Sequence, residues 1–475
     1  MTPEEFRARG HELIDWIADY RAGLAELPVL SQVEPGEVAA LLPASAPEVG
    51  EGTDGMIADL DEIVIPGLSL WQHPSFFNFF PANSELSSVL GDIACAGLGV
   101  IGLSWESSPA LSEIEQRVVD WARQLFGLSD AWRGVIQDTA STSTLLAMLE
   151  AREQASQFSM SGGGLAGLDR PLTVYVSRYA HSSVQKAALL AGFGQDHIRW
   201  IDADEAFAMR PEALAAAITE DRAAGFVPAA VVATCGTTTT TAVDPLASIG
   251  EIARNEGLWF HVDAAMAGSA MILPECRPLW EGVELADSLV VNAHKWLGVA
   301  FDCSLYFVRD AAHLERVMST NPSYLRSNRD EDVTNLRDWG IPLGRRFRAL
   351  KLWFMLKAEG AEALRARLRR DLENAQWLTA QIEAAPEWRV LAPVPLQTVC
   401  VRHEPVGPDG EALRGEALDR HTREWAERVN ASGRAWVSLS QLEGRWMVRI
   451  SIGALETERE HVEQLWDEMR AAVAA

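Results

Sequence analysis

Four polar side chains follow candidate β-strands in the middle of the chain. Asp263 comes directly after the apolar run LWFHV, and Lys295 lies just beyond SLVVN. His181 follows LTVYVSRYA at the start of a helical pattern, and a threonine run containing Thr238 follows AAVVAT. A carboxylate, an amine, an imidazole and a hydroxyl are groups that acid–base and covalent catalysis use. We therefore treat them as candidates for one catalytic site.

Each of these side chains also has a purely structural interpretation. An aspartate after a strand or a histidine at a helix start is most often a cap, and a threonine run is most often a turn. A lysine among apolar residues usually extends its amine to water. The carboxyl ends of parallel strands, however, meet at one edge of a sheet, where ligands bind. Four such groups at one edge are better explained by a shared site than by four coincidences.

A fifth feature predicts an anion site beside them. GVIQDTASTSTLLAMLEAR has the pattern of a strand, a hydroxyl-rich turn and a helix. Thr139, Ala140 and Ser141 would present hydroxyls and backbone amides at the helix N-terminus, which attracts a phosphate. The glycines of an ATP-binding or dinucleotide-binding loop are absent, so neither is the expected ligand.

A phosphate site, a carboxylate and an amine at one sheet edge match pyridoxal 5'-phosphate (PLP). The PLP aldehyde forms a Schiff base with a lysine amine, and its ring nitrogen pairs with a carboxylate. Lys295 and Asp263 fit these two roles. Apolar surroundings favour the neutral, nucleophilic form of a lysine amine, which would explain the position of Lys295.

The elements that must position these groups alternate along the chain. In residues 86–350, β-rich runs are separated by helical patterns, which predicts an α/β fold with a parallel sheet. Residues 351–475 predict a small α+β domain with an antiparallel sheet that includes QTVCVRHE and RWMVRISIG. Residues 1–85 begin with an amphipathic helix whose apolar face lacks an evident partner. Such a face predicts docking on a second copy of the chain.

Composition disfavours several other classes of function. The formal net charge of -26 would repel nucleic acid. No apolar run reaches the roughly 18 residues of a membrane-spanning helix, and the N-terminus has no signal-peptide pattern. The cysteines lack paired spacing, which predicts reduced, buried thiols and no zinc site; they are Cys95, Cys235, Cys276, Cys303 and Cys400. We expect a soluble, cytoplasmic protein without a metal.

Taken together, these motifs resemble those of the group II PLP-dependent decarboxylases, and within them the aromatic-L-amino-acid decarboxylases. The resemblance covers nearly the whole chain, from WQHPSFFNFFPA through HVDAAMAGSA and NAHKWLGVAFDCS to IPLGRRFRALKLWF. It implies the fold of PLP-dependent transferases, the aspartate aminotransferase type known as fold type I. It also implies an obligate homodimer whose N-terminal segment wraps its partner. The implied reaction converts an aromatic L-amino acid into carbon dioxide and an amine.

The resemblance also implies a role for individual residues. Lys295 would form the Schiff base, Asp263 would pair with the ring nitrogen, and His181 would stack on the ring. Further cofactor contacts are implied for Thr139, Ala140, Ser141, Thr238, Ala265, Asn292 and His294. The implied substrate pocket contains Trp71, Phe79, Phe80, Pro81, Ala82 and Leu336, with Ile101 and Leu103 from the other subunit.

The loop before IPLGRRFR departs from the family pattern. Leu336 stands where the family has the tyrosine that returns a proton to Cα. Tyr324, His181 or a water molecule would have to supply that proton, and a slow supply would leave the reaction open to dioxygen. An aromatic aldehyde synthase, which releases an aldehyde, ammonia and hydrogen peroxide, is therefore the alternative. Retention of His181 favours the decarboxylase.

Other readings of the same residues are weaker. Transaminases and cysteine desulfurases share a lysine and an aspartate, but nothing leads us to expect NAHKW, AHSSV and PLGRRFR together in them. A non-catalytic PLP-binding homologue is disfavoured because Lys295 and His181 are both present. Phe79 and Ala82 stand where the animal enzymes usually have tyrosine and threonine, so the pocket is less polar. Phenylalanine or tryptophan should then be used at least as well as a catechol amino acid.

Overall fold

The computed structural model describes residues 1–320, 329, 332–407 and 410–474, so Tyr324 lies outside the described residues. Within these ranges the α-helices are α1 (Pro3–Ala22), α2 (Glu37–Ala40), α3 (Leu86–Leu98), α4 (Pro109–Phe126), α5 (Ala140–Ala155), α6 (Ser182–Leu190), α7 (Pro211–Ala223), α8 (Leu246–Glu256), α9 (Ala311–Met318), α10 (Ala349–Ala358), α11 (Gly360–Ala384), α12 (Gly415–Ala431) and α13 (Arg459–Ala474). The β-strands are β1 (Phe76–Phe77), β2 (Arg133–Gln137), β3 (Leu172–Ser177), β4 (Ile198–Ile201), β5 (Val227–Thr234), β6 (Trp259–Asp263), β7 (Ser288–Asn292), β8 (Ser304–Val308), β9 (Trp388–Val390), β10 (Thr398–His403), β11 (Trp436–Leu442) and β12 (Arg445–Ser451).

The larger of two compact units comprises residues 82–379 and 390–400 and contains a seven-stranded sheet. The strand order is β2-β8-β7-β6-β5-β3-β4. All pairs from β7 to β4 are parallel, whereas β8 is antiparallel to both β7 and β2. Too few residues separate β7 from β8 for a parallel crossover, which needs a dozen or more. The α/β class predicted from sequence is confirmed, with β8 as an antiparallel member.

The core of this unit explains why its central strands are continuous apolar runs. Every residue of β3, β6 and β7 is buried, as is all but the first residue of β5. The helix α5 packs against β5, β6, β7 and β8, so this side of the sheet is shielded from water. Strands covered in this way lose the polar alternation of a half-exposed strand.

The smaller unit comprises residues 1–81, 380–389 and 401–475. A five-stranded sheet has the order β1-β11-β12-β10-β9, in which β1 is parallel to β11 and β11 is antiparallel to β12. This grouping differs from the three consecutive segments predicted from sequence. The β1–β11 pairing joins the N-terminal segment to the C-terminal sheet, while α10 packs against α3 and α4 within the larger unit.

Two global properties bear on the expectations from composition. All five cysteines are buried free thiols. Within the part of the chain that the structure describes, no helix combines the length and the apolar character needed to cross a membrane.

A buried carboxyl group, that of Glu150 in α5, is expected to make folding pH-dependent. The Tyr306 hydroxyl donates a hydrogen bond to Oε2 of Glu150, and burial raises the pKa of Glu150 to about 8. The pKa of a glutamate in an unfolded chain is about 4.3. Between this pKa and the folded pKa of about 8, the folded chain keeps a proton that the unfolded chain has released. The free energy of unfolding therefore falls as pH rises through this window, by up to about 1.4 kcal/mol per pH unit.

Glu150→Gln should weaken this dependence because the amide keeps the shape but cannot ionise. We expect the loss of unfolding free energy between pH 5 and pH 8, measured by urea denaturation, to be smaller in the variant. Equal pH dependence in both proteins would contradict the assignment.

Candidate active site

Asp263 is the last residue of β6 and is 4 % exposed. It lies opposite Thr234 at the end of β5, and its carbonyl accepts a hydrogen bond of 2.9 Å from the amide of Cys235. Its Oδ1 accepts a hydrogen bond of 3.0 Å from the amide of Ala265. A carboxylate with so little water around it is stabilised by a neighbouring cation or a charged donor. Asp263 therefore favours a positively charged group at this edge of the sheet.

Lys295 lies in the π-helical turn Ala293–Leu297 that follows β7, with φ -100° and ψ -117°. The turn ends at Gly298, whose φ of +104° is in the left-handed region that favours glycine. The side chains of His294 and Trp296 are buried, whereas Lys295 is half-buried. The turn thus buries both neighbours and leaves the lysine as its accessible functional group.

His294 is held inside this turn as a neutral imidazole. Its Nδ1 accepts a hydrogen bond of 2.8 Å from the amide of Cys303. Burial, strengthened by the positive charge of Lys295, lowers the pKa of His294 to about 3. The imidazole therefore remains uncharged over the working pH range of most enzymes.

His181 caps the N-terminus of α6, shortly after β3. Loss of surrounding water lowers the pKa of His181, the negative charge of Asp263 raises it, and the positive charge of Lys295 lowers it. The amide of Ser183 donates a hydrogen bond of 3.1 Å to Nδ1, so the proton of the neutral ring is on Nε2. The structure thus brings both Asp263 and Lys295 within electrostatic reach of His181.

The N-terminus of α5 is the place where the sequence predicts an anion site. The Thr139 side chain makes no capping bond to the first turn of the helix, so the amides there are available to a ligand. Ser143, one turn further on, lies 3.1 Å from Ser304, measured between the two Oγ atoms. Ser304 is opposite Asn292 in the sheet, and Oδ1 of Asn292 is buried without a hydrogen-bond partner among the described residues. An amide side chain and helix amides therefore face the same region.

The remaining predicted cofactor contacts lie at the same sheet edge. Thr238 and Ala265 are half-buried in the turns after β5 and β6. Because β2 runs parallel to β3, β5, β6 and β7, the carboxyl ends of all five strands coincide. The following residues all lie at these ends or within a few residues after them: Thr139, Ala140, Ser141, His181, Thr238, Asp263, Ala265, Asn292, His294 and Lys295.

The predicted substrate-pocket residues are distributed over both units. In the smaller unit, the Trp71 and Phe79 rings stack at 5.5 Å, and the Arg449 guanidinium lies 4.3 Å from the Phe80 ring centre. Pro81 is the last residue of that segment. Ala82 begins the larger unit, in which Ile101 is 61 % exposed and Leu103 is half-buried.

Leu336 lies apart from the catalytic candidates. It is 3 % exposed and belongs to an apolar cluster that includes Leu314 and Trp339. It also lines a groove bounded by α4, β2 and α9, whose lining includes neither Lys295 nor His181. Within a single chain, the structure therefore does not bring Leu336 to the lysine turn.

The sequence reasoning missed two residues that contact the lysine turn, Arg367 and Asp371 of α11. Asp371 accepts a hydrogen bond from Trp296, and Arg367 donates one to the carbonyl of Leu297. The sequence does carry one sign of Asp371, which is a charged residue within the apolar stripe of the helical pattern of α11. Asp371 follows Leu368 by three residues, so both lie on the buried face of α11.

The arrangement agrees with comparisons to known proteins. The model of the pyridoxal-dependent decarboxylase conserved domain matches residues 35–404. The chain belongs to the pyridoxal-dependent decarboxylase family. This decarboxylase is 40 % identical over 476 residues to a phenylacetaldehyde synthase of Arabidopsis thaliana, covering 98 % of this chain and 95 % of that protein. It is 38 % identical over 480 residues to tryptophan decarboxylase 2 of Oryza sativa subsp. japonica, covering 99 % and 95 %.

A solved structure supports the same assignment. The crystal structure of Oryza sativa TDC with PLP and tryptamine matches this decarboxylase with a TM-score of 0.96 at 34 % identity. The match covers 100 % of this chain and 98 % of that chain. The fold type I class and the PLP cofactor expected from the sequence are confirmed.

The residues at the strand ends of this decarboxylase fit PLP by the chemistry of their donors. The amine of Lys295 would hold the aldehyde, and the carboxylate of Asp263 would hold the protonated ring nitrogen. The amides at Thr139–Ser141 and the Nδ2 donor of the Asn292 side chain would hold the phosphate. When bound there, PLP supplies an electron sink for the pair of electrons left when a bond to Cα breaks.

Proposed function

We propose that this enzyme removes carbon dioxide from an aromatic L-amino acid and releases the corresponding amine. The observation that carries the proposal is the convergence of Lys295, Asp263 and His181 at one sheet edge. It is supported by the identity of 38 % to a tryptophan decarboxylase over nearly the whole chain. Fold alone would not select this reaction, because the fold serves several chemistries.

The chain's own residues divide the work of this reaction. With PLP bound, Asp263 would hold the proton on the ring nitrogen, because its buried carboxylate is stabilised by a positive partner. Lys295 supplies an amine that the amino acid substrate can displace. His181 supplies a neutral ring whose Nε2 holds a proton beside both of them. We assign to this Nε2 the return of a proton at Cα.

The same histidine gives the second candidate, an aromatic aldehyde synthase, a physical basis. A neutral imidazole is a weak proton donor. The lowered pKa of His181 leaves little of the more acidic imidazolium at neutral pH. Leu336 has no proton to give, and the Arabidopsis thaliana relative named phenylacetaldehyde synthase is 40 % identical. If proton return were slow, dioxygen could take the electron pair together with two protons and leave as hydrogen peroxide, while a water molecule would supply the oxygen of the aldehyde. The products would then be aldehyde, ammonia and hydrogen peroxide beside carbon dioxide.

The aromatic cluster of the smaller unit supports an apolar aromatic substrate. Phe79 is 50 % exposed and lies 5.6 Å from the ring of Trp436 and 5.5 Å from that of Trp71. Aromatic rings attract one another through edge-to-face and offset stacking. We propose that Trp71 and Phe79 contribute to the substrate pocket, as the resemblance implies.

The substrate class can be tested by carbon dioxide release, which both product outcomes share. With PLP present, we expect kcat/KM for phenylalanine and tryptophan to equal or exceed that for dihydroxyphenylalanine, because Phe79 and Ala82 offer no hydroxyl partner. A strong preference for the catechol amino acid or for an acidic amino acid would overturn this assignment.

We further propose that the enzyme is a homodimer. No residue of α1 is buried, and its Leu13 and Ile14 are each 40 % exposed. In the larger unit, α3 exposes 53 % of Leu90 and 42 % of Ile93 on one face. Apolar faces of this kind favour association with a second copy. Sedimentation equilibrium should give twice the chain mass, and a monomer at micromolar concentration would contradict the proposal.

A further inference from the structure

A buried carboxylate on α11 reaches the turn that contains Lys295. The apolar stripe of α11 places Leu364, Leu368, Ala375 and Leu378 in the core, and Asp371 occupies the same stripe with 0 % exposure. A charge in such a position costs free energy unless it has a partner. Nε1 of Trp296 donates a hydrogen bond of 2.8 Å to Oδ2 of Asp371. Trp296 is itself fully buried and follows Lys295 directly.

Arg367, which lies four residues before Asp371 on α11, binds Leu297, the residue that follows Trp296 in the lysine turn. Its Nη2 donates a hydrogen bond of 2.8 Å to the carbonyl of Leu297. Nε of Arg367 lies 3.8 Å from Oε1 of Glu85, and the amide of Glu85 donates a hydrogen bond of 2.9 Å to the carbonyl of Gly298. Three consecutive residues after Lys295 are thus bonded to elements far from them in sequence.

The charges around Asp371 are consistent with this anchoring role. Burial raises the pKa of Asp371 to about 6, while Arg367, Arg370 and the hydrogen bond from Trp296 oppose that increase. The neighbouring cations and the indole donor therefore favour the ionised carboxylate, which is the stronger hydrogen-bond acceptor.

We infer that Asp371 and Arg367 are positioning residues that hold the turn at Trp296 and Leu297 and so fix where the amine of Lys295 meets the cofactor. The inference rests on the role proposed for Lys295. A displacement of about 1 Å at a reacting group can cost about 10²-fold in rate. Neither residue has to contact the cofactor, because Asp371 acts through the side chain of Trp296 and Arg367 through the carbonyl of Leu297.

The test compares two buried tryptophans whose indoles each donate a hydrogen bond to a carboxylate. Nε1 of Trp132 also donates to a carboxylate, that of Glu284 at 3.0 Å, and Trp132 is 1 % exposed in the same unit. Trp132→Phe therefore controls for the loss of a buried indole hydrogen bond. Each holoenzyme is diluted, and cofactor release is followed by the decay of the visible absorbance band of lysine-bound PLP.

We expect Trp296→Phe and Asp371→Leu to release PLP about 10- to 100-fold faster and to lower kcat more than they change KM. Trp132→Phe should behave as wild type in both measurements. Asp371→Asn keeps an acceptor oxygen for the indole and should restore most of the wild-type behaviour. A merely structural role would lower the thermal midpoint of both tryptophan variants alike without separating their release rates.

The outcomes separate this inference from the proposed function. Equal release rates in Trp296→Phe and wild type, or equal acceleration in Trp132→Phe, would overturn the positioning role. If Asp371→Leu does not fold, the two tryptophan variants still decide the matter. A wild-type absorbance band that survives Lys295→Ala would instead contradict the role of the lysine itself.

Discussion

Lys295→Ala is expected to lower kcat for carbon dioxide release by at least about 10³-fold, which is about 4 kcal/mol of activation free energy. The amine lies in a turn whose other side chains are buried, so no neighbour can replace it. His294 is the adjacent side chain, and its Nδ1 accepts a hydrogen bond from the main chain. Burial lowers the pKa of His294 to about 3, but an imidazole cannot bond to an aldehyde as a primary amine does. The measurements are kcat for carbon dioxide release at saturating substrate and the visible absorbance of bound PLP.

Lys357→Ala is the matched control for this substitution. Lys357 is exposed at the end of α10, where it lies 5.8 Å from the ring centre of Trp353. Its removal takes away the same amine and charge without touching the strand ends. We expect wild-type turnover and absorbance from this variant. Substantial turnover by Lys295→Ala would refute the assignment of the lysine.

Asp263→Asn is expected to lower kcat by about 10²- to 10³-fold with a smaller effect on KM. The amide keeps the size of the carboxylate and can still accept the hydrogen bond from Ala265. It loses the negative charge that holds a proton on the ring nitrogen, so the electron sink weakens. The same charge raises the pKa of His181, so its loss should lower that pKa and move the alkaline limb of the pH–kcat profile, where the imidazolium is lost, to lower pH.

Asp221→Asn controls for the loss of a buried negative charge in the same unit. Asp221 is 6 % exposed on α7 and accepts a hydrogen bond of 2.8 Å from the Tyr175 hydroxyl. It lies outside the turns that follow the strand ends. We expect lower stability but an unchanged kcat and pH profile. A comparable fall in kcat in both variants would show that Asp263 acts through folding alone.

The strands that position the site could be predicted because they are buried on both faces. β3, β5, β6 and β7 are uninterrupted apolar runs, and a chemically useful residue follows each of them. β4 was missed since it is an edge strand with a half-buried Arg199 and Trp200 at 38 % exposure. Its four residues mix apolar and polar side chains, so the sequence pattern does not distinguish this strand from a loop.

Longer-range features could not be predicted because nothing local encodes them. β1 has two residues, and its pairing with β11 spans some 360 positions in sequence. Likewise, Asp371 belongs to a helix 76 residues beyond Lys295, and only the fold reveals that it bonds to Trp296. Leu336 was predicted at the substrate pocket from its place in a motif, but it packs with Leu314 and Trp339 in the described chain.

If carbon dioxide loss ends in protonation at Cα, the ratio of the products will show it. The holoenzyme is incubated in air with phenylalanine and, separately, with tryptophan, and the amine, aldehyde, peroxide and carbon dioxide are quantified together. Proton return by His181 predicts one amine for each carbon dioxide, with no peroxide. Aldehyde and peroxide formed in equal amounts, with one of each for every carbon dioxide, would contradict it and identify the enzyme as an aldehyde synthase.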